Sequence, residues 1–169
     1  MPETIHGCFD QRLRLMAVPF LACMAFVSQL YDLPPRVLPS IQAVEGGGIG
    51  VIHRNTDGSE DMGVMQINTT WLPTLARYSQ QSIPEVRHQL LTSPCYNISA
   101  AGMVLHGYLQ ETRGDLMRAI GNYNSHTPIH NRVYQMKVMR SVTRLVDQLP
   151  AGRFAEAVQP VVARALPKP

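Results

Sequence analysis

The sequence is poor in charge: aspartate, glutamate, lysine and arginine make up only 16% of its 169 residues, while hydrophobic residues make up 45%. This composition excludes an intrinsically disordered chain. The formal net charge is only +3, and no basic run is interleaved with aromatic residues. Nucleic acid is therefore not an expected partner. The length fits one domain with enough chain to bury a core.

Cysteine is equally scarce, and its spacing matches no metal motif. Cys8, Cys23 and Cys95 form an odd set, which leaves two alternatives open. In an exported protein, Cys23 and Cys95 can pair while Cys8 is removed with a leader. In the cytosol all three are ordinary reduced thiols.

Metal-binding clusters are missing as well. His126 and His130 are four residues apart, but Pro128 lies between them and no third ligand accompanies them. A zinc site normally needs three or four protein ligands. We expect neither a metal nor a cofactor.

The N-terminal region lacks a hydrophobic run long enough to cross a membrane. Arg12 and Arg14 precede an apolar stretch from Leu15 to Val27, whose length fits the core of a secretory signal. We expect export, with residues 1–22 as a leader. Two alternatives are a buried first helix and lipid attachment at the Phe20–Cys23 segment.

Apolar residues recur at helical spacing along most of the remaining chain. We expect an all-α domain over residues 23–149 and a Pro/Ala-rich, flexible tail over 150–169. Turn residues interrupt the helices near 52–67. Two start signals for helices are the Ser82–Glu85 capping box and Ser93-Pro94. The helix that begins at Ser93-Pro94 has one apolar face, formed by Ile98, Ala101, Leu105, Tyr108 and Leu109. The last long helix begins at Thr127-Pro128 and carries apolar positions at Val133, Met136, Val142, Leu145 and Leu149.

Glu45 is the candidate catalytic acid. It ends a predicted helix and is followed by Gly46 and Gly47. The negative end of the helix dipole and the apolar neighbour Val44 disfavour an ionised carboxylate, so we expect a raised pKa. A general acid needs a raised pKa to stay protonated near neutral pH.

Three motifs carry a family resemblance. Glu45-Gly46-Gly47, Gly63-Val64-Met65-Gln66 and Asn122-Tyr123-Asn124 resemble the Glu-Ser-Gly, Gly-Leu-Met-Gln and Ala-Tyr-Asn motifs of bacterial soluble lytic transglycosylases. The stretches from Asn55 to Pro73 and from Pro94 to Ile98 are similar to small, single-domain members encoded with conjugation, type IV and type III secretion machinery.

The resemblance implies a fold and a reaction. The fold is that of goose-type lysozyme, all-α with at most a vestigial β-hairpin near 52–67. Glu45 protonates the glycosidic oxygen between N-acetylmuramic acid and N-acetylglucosamine in peptidoglycan. It then takes the proton of the sugar's own C6 hydroxyl, which attacks C1 and gives a 1,6-anhydro product. No second carboxylate is needed, because the intramolecular nucleophile has a high effective molarity.

The resemblance also assigns individual roles. Tyr123 is expected to hydrogen-bond to Glu45 and to orient it, while a set of substrate-binding side chains lines the glycan groove. A Cys23–Cys95 disulfide, a periplasmic location and components of a conjugation or secretion apparatus as partners follow from the same family. Besides Tyr123, the residues expected to bind the glycan strand in the groove are Gln66, Met65 and Asn124.

Two departures from the family pattern leave alternatives open. Gly46 replaces the usual serine, and Asn122 replaces the usual alanine. One alternative is a wall-binding assembly factor with weak catalysis. The other is a hydrolytic muramidase that uses a water molecule placed by Asp57, Glu60 or Asp61.

Overall fold

Seven α-helices, one short 3₁₀ turn and a small antiparallel sheet form the part of the chain that the computed structural model describes, residues 20–148. The all-α prediction is confirmed, although the predicted hairpin region holds three strands. The predicted tail, residues 150–169, and most of the predicted leader lie outside the described residues. In chain order the elements are α1 (Leu21–Leu30), α2 (Val37–Glu45), β1 (Ile52–Arg54), β2 (Glu60–Met62), β3 (Ile67–Asn68), the 3₁₀ turn (Thr69–Trp71), α3 (Leu72–Ser79), α4 (Ile83–Thr92), α5 (Pro94–Glu111), α6 (Leu116–Asn124) and α7 (Pro128–Gln148).

The end of the apolar N-terminal stretch lies in the first described helix. Leu21, Met24 and Val27 of α1 are buried in the core, so this end of the apolar stretch is a packed helix. Within residues 20–148, no helix combines the length and the apolar character needed to cross a membrane.

Helix starts follow the predicted capping signals. Ser82 and Glu85 form a reciprocal capping box at the start of α4, as predicted. The Ser93 side chain accepts a hydrogen bond from the backbone N–H of Tyr96 at the start of α5. Asp115 caps α6 in the same way. These local bonds satisfy N–H groups that a helix leaves unpaired in its first turn.

Helix α5 runs through the core and contacts α1, α2, α4 and α6. Its predicted apolar face is confirmed, since Ile98, Ala101 and Leu105 are fully buried. The predicted Cys23–Cys95 disulfide is present and joins α1 to the first turn of α5, with the two Cα atoms 5.4 Å apart. The apolar face and the disulfide therefore fix α1 against α5.

The apolar positions predicted for α7 divide into two groups. Leu145 is buried and Val142 is half-buried against the core, but Val133 and Met136 are 39% and 52% exposed; Leu149 lies outside the described residues. Apolar periodicity misses part of the packing face because polar residues with hydrogen-bond partners also occupy it. The buried positions of α7 are Asn131, Tyr134, Val138, Ser141 and Leu145.

The three strands form an antiparallel sheet in the order β1-β2-β3. His53 pairs with Asp61, and Asp61 pairs with Asn68, so these three side chains lie in one row on one face. Met62 and Ile67 belong to the opposite face and are buried in the core. The sheet therefore presents a polar row on the side away from the core.

Asn97 of α5 connects the core to the turn between β2 and β3. Its side-chain amide donates to the backbone oxygens of Met62 and Leu90 at 2.8 and 2.9 Å. Its side-chain oxygen accepts from the backbone N–H of Met65 at 2.8 Å. The residue is fully buried, so these bonds replace water for three backbone groups.

Replacing Asn97 with alanine is expected to lower the free energy of unfolding by about 3 kcal/mol, because three buried backbone groups lose their partners. Chemical denaturation of Asn97→Ala and of the wild type measures the difference. Gln110→Ala, an exposed polar change on the same helix, is the control and should stay within about 0.5 kcal/mol. Equal stabilities of all three proteins would contradict the role given to Asn97.

Candidate active site

A groove of about 830 Å³ runs between the polar face of the sheet and helices α5 and α6. Its walls are mainly polar, and it is partly open to solvent. The C-terminal residue of α2 lies in it. The residues that line it are Glu45, His53, Arg54, Asn55, Thr56, Asp57, Ser59, Asp61, Gln66, Ile67, Asn68, Thr70, Trp71, Val104, Tyr108, Asn122, Tyr123, Asn124, Ser125, His126 and His130.

The glycines after Glu45 have distinct structural roles. Gly46 ends α2 in the left-handed region, with φ of +63°, and a Cβ atom there would meet nothing within 4 Å. Gly47 is sterically required, because its Cβ would lie 2.2 Å from the carbonyl oxygen of Gly63. These two positions let the end of α2 reach the turn that carries Gln66.

The carboxyl group of Glu45 is mostly withdrawn from water. The pKa of Glu45 is raised to about 7, from an ordinary value of 4.5, and burial is the largest cause. A hydrogen bond from Tyr134 acts in the opposite direction. The negative charge of Asp61 contributes to the rise, and the positive charge of Lys137 opposes it. The predicted direction is confirmed, with burial as the largest cause.

The tyrosine that hydrogen-bonds to Glu45 is Tyr134, so the predicted hydrogen bond from Tyr123 to Glu45 is wrong. The hydroxyl of Tyr134, on α7, donates to a carboxylate oxygen of Glu45. Burial, and then the charge of Glu45, raise the pKa of Tyr134, so its hydroxyl stays protonated. The hydroxyl of Tyr123 donates instead to the backbone oxygen of Met65 at 2.9 Å.

Nothing in the motif pattern pointed to Tyr134. It lies 89 residues from Glu45 along the chain and outside the three motifs. The available signal was a tyrosine three residues after Asn131 and four before Val138, on the buried face of α7. The packing of α7 against α2 brings its hydroxyl to the end of α2.

The structure brings most of the predicted substrate-binding residues together. Gln66, Tyr123 and Asn124 all line the groove beside Glu45. Gln66 has a left-handed backbone, φ +51°, and its side-chain amide donates to the carbonyl oxygen of Gly63 at 2.8 Å. Met65 does not line the groove. Its side chain is fully buried in the core, so its only link to this wall is the backbone oxygen that Tyr123 binds.

The three acidic residues of the sheet region occupy different environments. Glu60 is paired with Arg87 at 2.7 Å and does not line the groove. Asp57 is exposed, and hydrogen bonds from the hydroxyl and backbone N–H of Ser59 lower its pKa. Asp61 faces the groove from the polar row of the sheet. It is the one whose charge acts on Glu45.

The side chain of Asp61 is held by two amides. Asn68 donates to one carboxylate oxygen at 2.7 Å, and Asn55 donates to the other at 3.0 Å. Both amides also donate to the hydroxyl of Ser59 at 3.0 Å. This network fixes a carboxylate in the groove together with Glu45.

Aromatic rings form part of the opposite wall. Trp71 and Tyr108 contact each other edge to face, with ring centres 5.7 Å apart, and Tyr108 contacts His126 in the same manner at 5.3 Å. Aromatic surfaces of this kind bind the apolar faces of sugars. Helical periodicity predicts Tyr108 on the apolar face of α5. In the structure its side chain is half-buried and also lines the groove.

Known proteins resemble this chain at low identity. Protein IpgF of Shigella sonnei is 26% identical over 136 residues, which cover 77% of this chain and 84% of that protein. Protein IpgF of Shigella flexneri is 26% identical over 125 residues, covering 72% and 77%. Invasion protein IagB of Salmonella typhi is 29% identical over 106 residues, covering 62% of each chain.

A family model covers the helical domain and both walls of the groove. The Transglycosylase SLT domain matches residues 23–140, which include Glu45, the three strands and Tyr134. The matched segment exceeds half of the 169 residues, and the helical architecture agrees with the lysozyme-like fold of the family. The chain therefore belongs to the SLT transglycosylase domain family.

Proposed function

We propose that this protein is a peptidoglycan lytic transglycosylase with Glu45 as its catalytic acid and base. Its substrate is the β-1,4 bond between N-acetylmuramic acid and N-acetylglucosamine, and its product carries a 1,6-anhydro sugar. Family membership supports the reaction class. The site residues are assigned from their positions in this groove.

The observation that carries the proposal is the state of Glu45. A carboxyl group with a pKa of about 7 is protonated in a large fraction of molecules at neutral pH. It lies in an open polar groove beside amide side chains and aromatic rings, which suit a glycan strand. Placement in a substrate-sized groove and a matched pKa are the two requirements for a general acid.

In the proposed mechanism, Glu45 donates its proton to the glycosidic oxygen as the bond to C1 breaks. The carboxylate that remains accepts the proton of the C6 hydroxyl, whose oxygen bonds to C1. Tyr134 holds the carboxyl group in place and stabilises its ionised form in the second half of the cycle. Gln66 and Asn124 hydrogen-bond to the sugars on either side of the glycosidic bond that is cleaved.

The proposed biological role is local opening of the cell wall for a conjugation or secretion apparatus. The name of invasion protein IagB and the family resemblance of the central motifs support this role. The disulfide between Cys23 and Cys95 fits an oxidising compartment such as the periplasm. A weakly catalytic wall-binding factor is the alternative role. Gly46, which stands at the end of α2 where the family has serine, motivates this alternative.

A hydrolytic muramidase is the second candidate, and Asp61 favours it. Enzymes that invert configuration use a second carboxylate to activate water on the opposite side of the sugar. Asp61 is fixed by Asn55 and Asn68 and faces the groove. The fate of C1 separates the two reactions, because hydrolysis leaves a reducing end where transglycosylation leaves an anhydro ring.

Replacing Glu45 with glutamine is expected to lower the release of anhydro muropeptides by about 10³-fold, because glutamine cannot transfer a proton. Mass spectrometry of digested peptidoglycan gives the product and the rate. Glu85→Gln is the matched control, since it is remote from the groove and glutamine is also accepted in a capping box. Activity of Glu45→Gln equal to that of the wild type would refute the catalytic assignment.

Replacing Tyr134 with phenylalanine is expected to shift the pH profile of kcat/KM. The wild-type rate should fall as pH rises through about 7, because the acid loses its proton there. The tyrosine hydroxyl lowers the pKa of Glu45, so its removal should move this fall to higher pH by about one unit. Tyr96→Phe, which removes a hydroxyl bound to Gln81, should leave the profile unchanged. A shift toward lower pH would contradict the role of Tyr134.

Replacing Asp61 with asparagine separates transglycosylation from hydrolysis. In the proposed reaction, the variant still yields anhydro products, and the fall in rate moves to lower pH because a negative charge near Glu45 is gone. If the enzyme is instead a hydrolase, the wild-type products carry reducing ends, and Asp61→Asn lowers the rate by about 10²-fold or more. Asp32→Asn, at an exposed carboxylate outside the groove, is the control and should change neither the product nor the profile.

A further inference from the structure

A second cleft lies beside the groove, between α6 and the start of α7. Its volume is about 520 Å³. Asn122 and His126 line both the cleft and the groove, so the two spaces share a wall. The cleft is lined by Asp115, Met117, Arg118, Asn122, His126, Pro128, Asn131, Arg132 and Gln135.

Two arginines give this cleft a positive character. Arg118 of α6 and Arg132 of α7 are both exposed and both line the cleft. Within residues 20–148 neither guanidinium group forms an ion pair. The acid in the lining, Asp115, uses one carboxylate oxygen to cap the backbone N–H of Arg118. The guanidinium groups are therefore available to an external anion.

Arg54 lines the groove and pairs with Glu60 at 3.4 Å, and Arg87 pairs with the same carboxylate at 2.7 Å. The two arginines of the cleft have no such carboxylate partner within residues 20–148.

The floor of the cleft is fixed by Asn131. This buried side chain donates to the side-chain oxygen of Asn122 at 2.8 Å and to the backbone oxygen of Ser125 at 3.2 Å. Gly121 permits the close approach of α6 and α7, because a Cβ there would lie 2.1 Å from the side-chain oxygen of Asn131. The helices that carry the two arginines are therefore held in a defined relation.

We propose that this cleft binds the acidic peptide stem of the glycan strand in the groove, with Arg118 and Arg132 pairing with its carboxylates. The inference rests on the proposed function, since it takes peptidoglycan as the occupant of the groove. Each N-acetylmuramic acid carries a peptide branch with free carboxylates. A branch that leaves the groove past Asn122 and His126 meets these two guanidinium groups. Arginine suits this role because its planar fork pairs with a carboxylate through two hydrogen bonds.

The test compares two substrates: glycan strands with peptide stems, and the same strands after an amidase has removed the stems. The double variant Arg118→Gln/Arg132→Gln is expected to lose about tenfold in kcat/KM on stem-bearing strands, the loss of two exposed ion pairs. On denuded strands it should stay within about twofold of the wild type. Added salt should weaken the wild-type preference for stem-bearing strands.

A control variant and a binding measurement keep the cleft separate from the catalytic proposal. Arg140→Gln/Arg144→Gln removes two exposed arginines farther along α7 and should change neither rate. Binding of both strand types is also measured with the Glu45→Gln protein, with and without the two cleft substitutions. Equal losses on the two strand types, or no loss on either, would overturn the stem site. A wild-type protein that cleaves neither strand, yet binds stems through the arginines, would overturn only the proposed function.

Discussion

The burial of one carboxyl group at the C-terminal end of α2 is the constraint on which this site depends. The pKa of Glu45 is raised to about 7, chiefly by removal from water, and this burial requires close packing on several sides. Gly47 allows the end of α2 to approach the turn before Gln66. Tyr134 reaches the same carboxyl group from α7. The site therefore exists only when elements distant in sequence have assembled.

The helical core supplies that assembly, and polar contacts place its parts. Asn97 ties α5 to the end of β2 and the β2–β3 turn through two hydrogen bonds, and to Leu90 of α4 through a third. That turn presents Gln66 to the groove, and Met65 offers a backbone oxygen to Tyr123. The two tyrosines thus have separate tasks. Tyr123 hydrogen-bonds to the backbone of one wall of the groove, whereas Tyr134 hydrogen-bonds to Glu45.

Local signals in the sequence predict the fold well. The errors of the prediction concern contacts between residues that are distant in the sequence. Helix caps and apolar faces are properties of short segments, so the box at Ser82 and the face of α5 could be predicted. Glu45 could be selected as the candidate acid because the glycines beside it form part of a motif. Its partner Tyr134 could not, because the contact depends on how α7 packs. Met65 was misplaced for a related reason: a motif names a segment without showing which side chain turns inward.

A pKa near 7 has a chemical consequence that does not depend on the final product. A group that first gives and then takes a proton works best when neither form is strongly favoured at the working pH. Burial and the charge of Asp61 favour the protonated form, while the hydroxyl of Tyr134 favours the ionised one. This balance serves transglycosylation and hydrolysis equally. The choice between them lies with the nucleophile, and hence with whether Asp61 holds a water molecule at C1 or only shapes the field around Glu45.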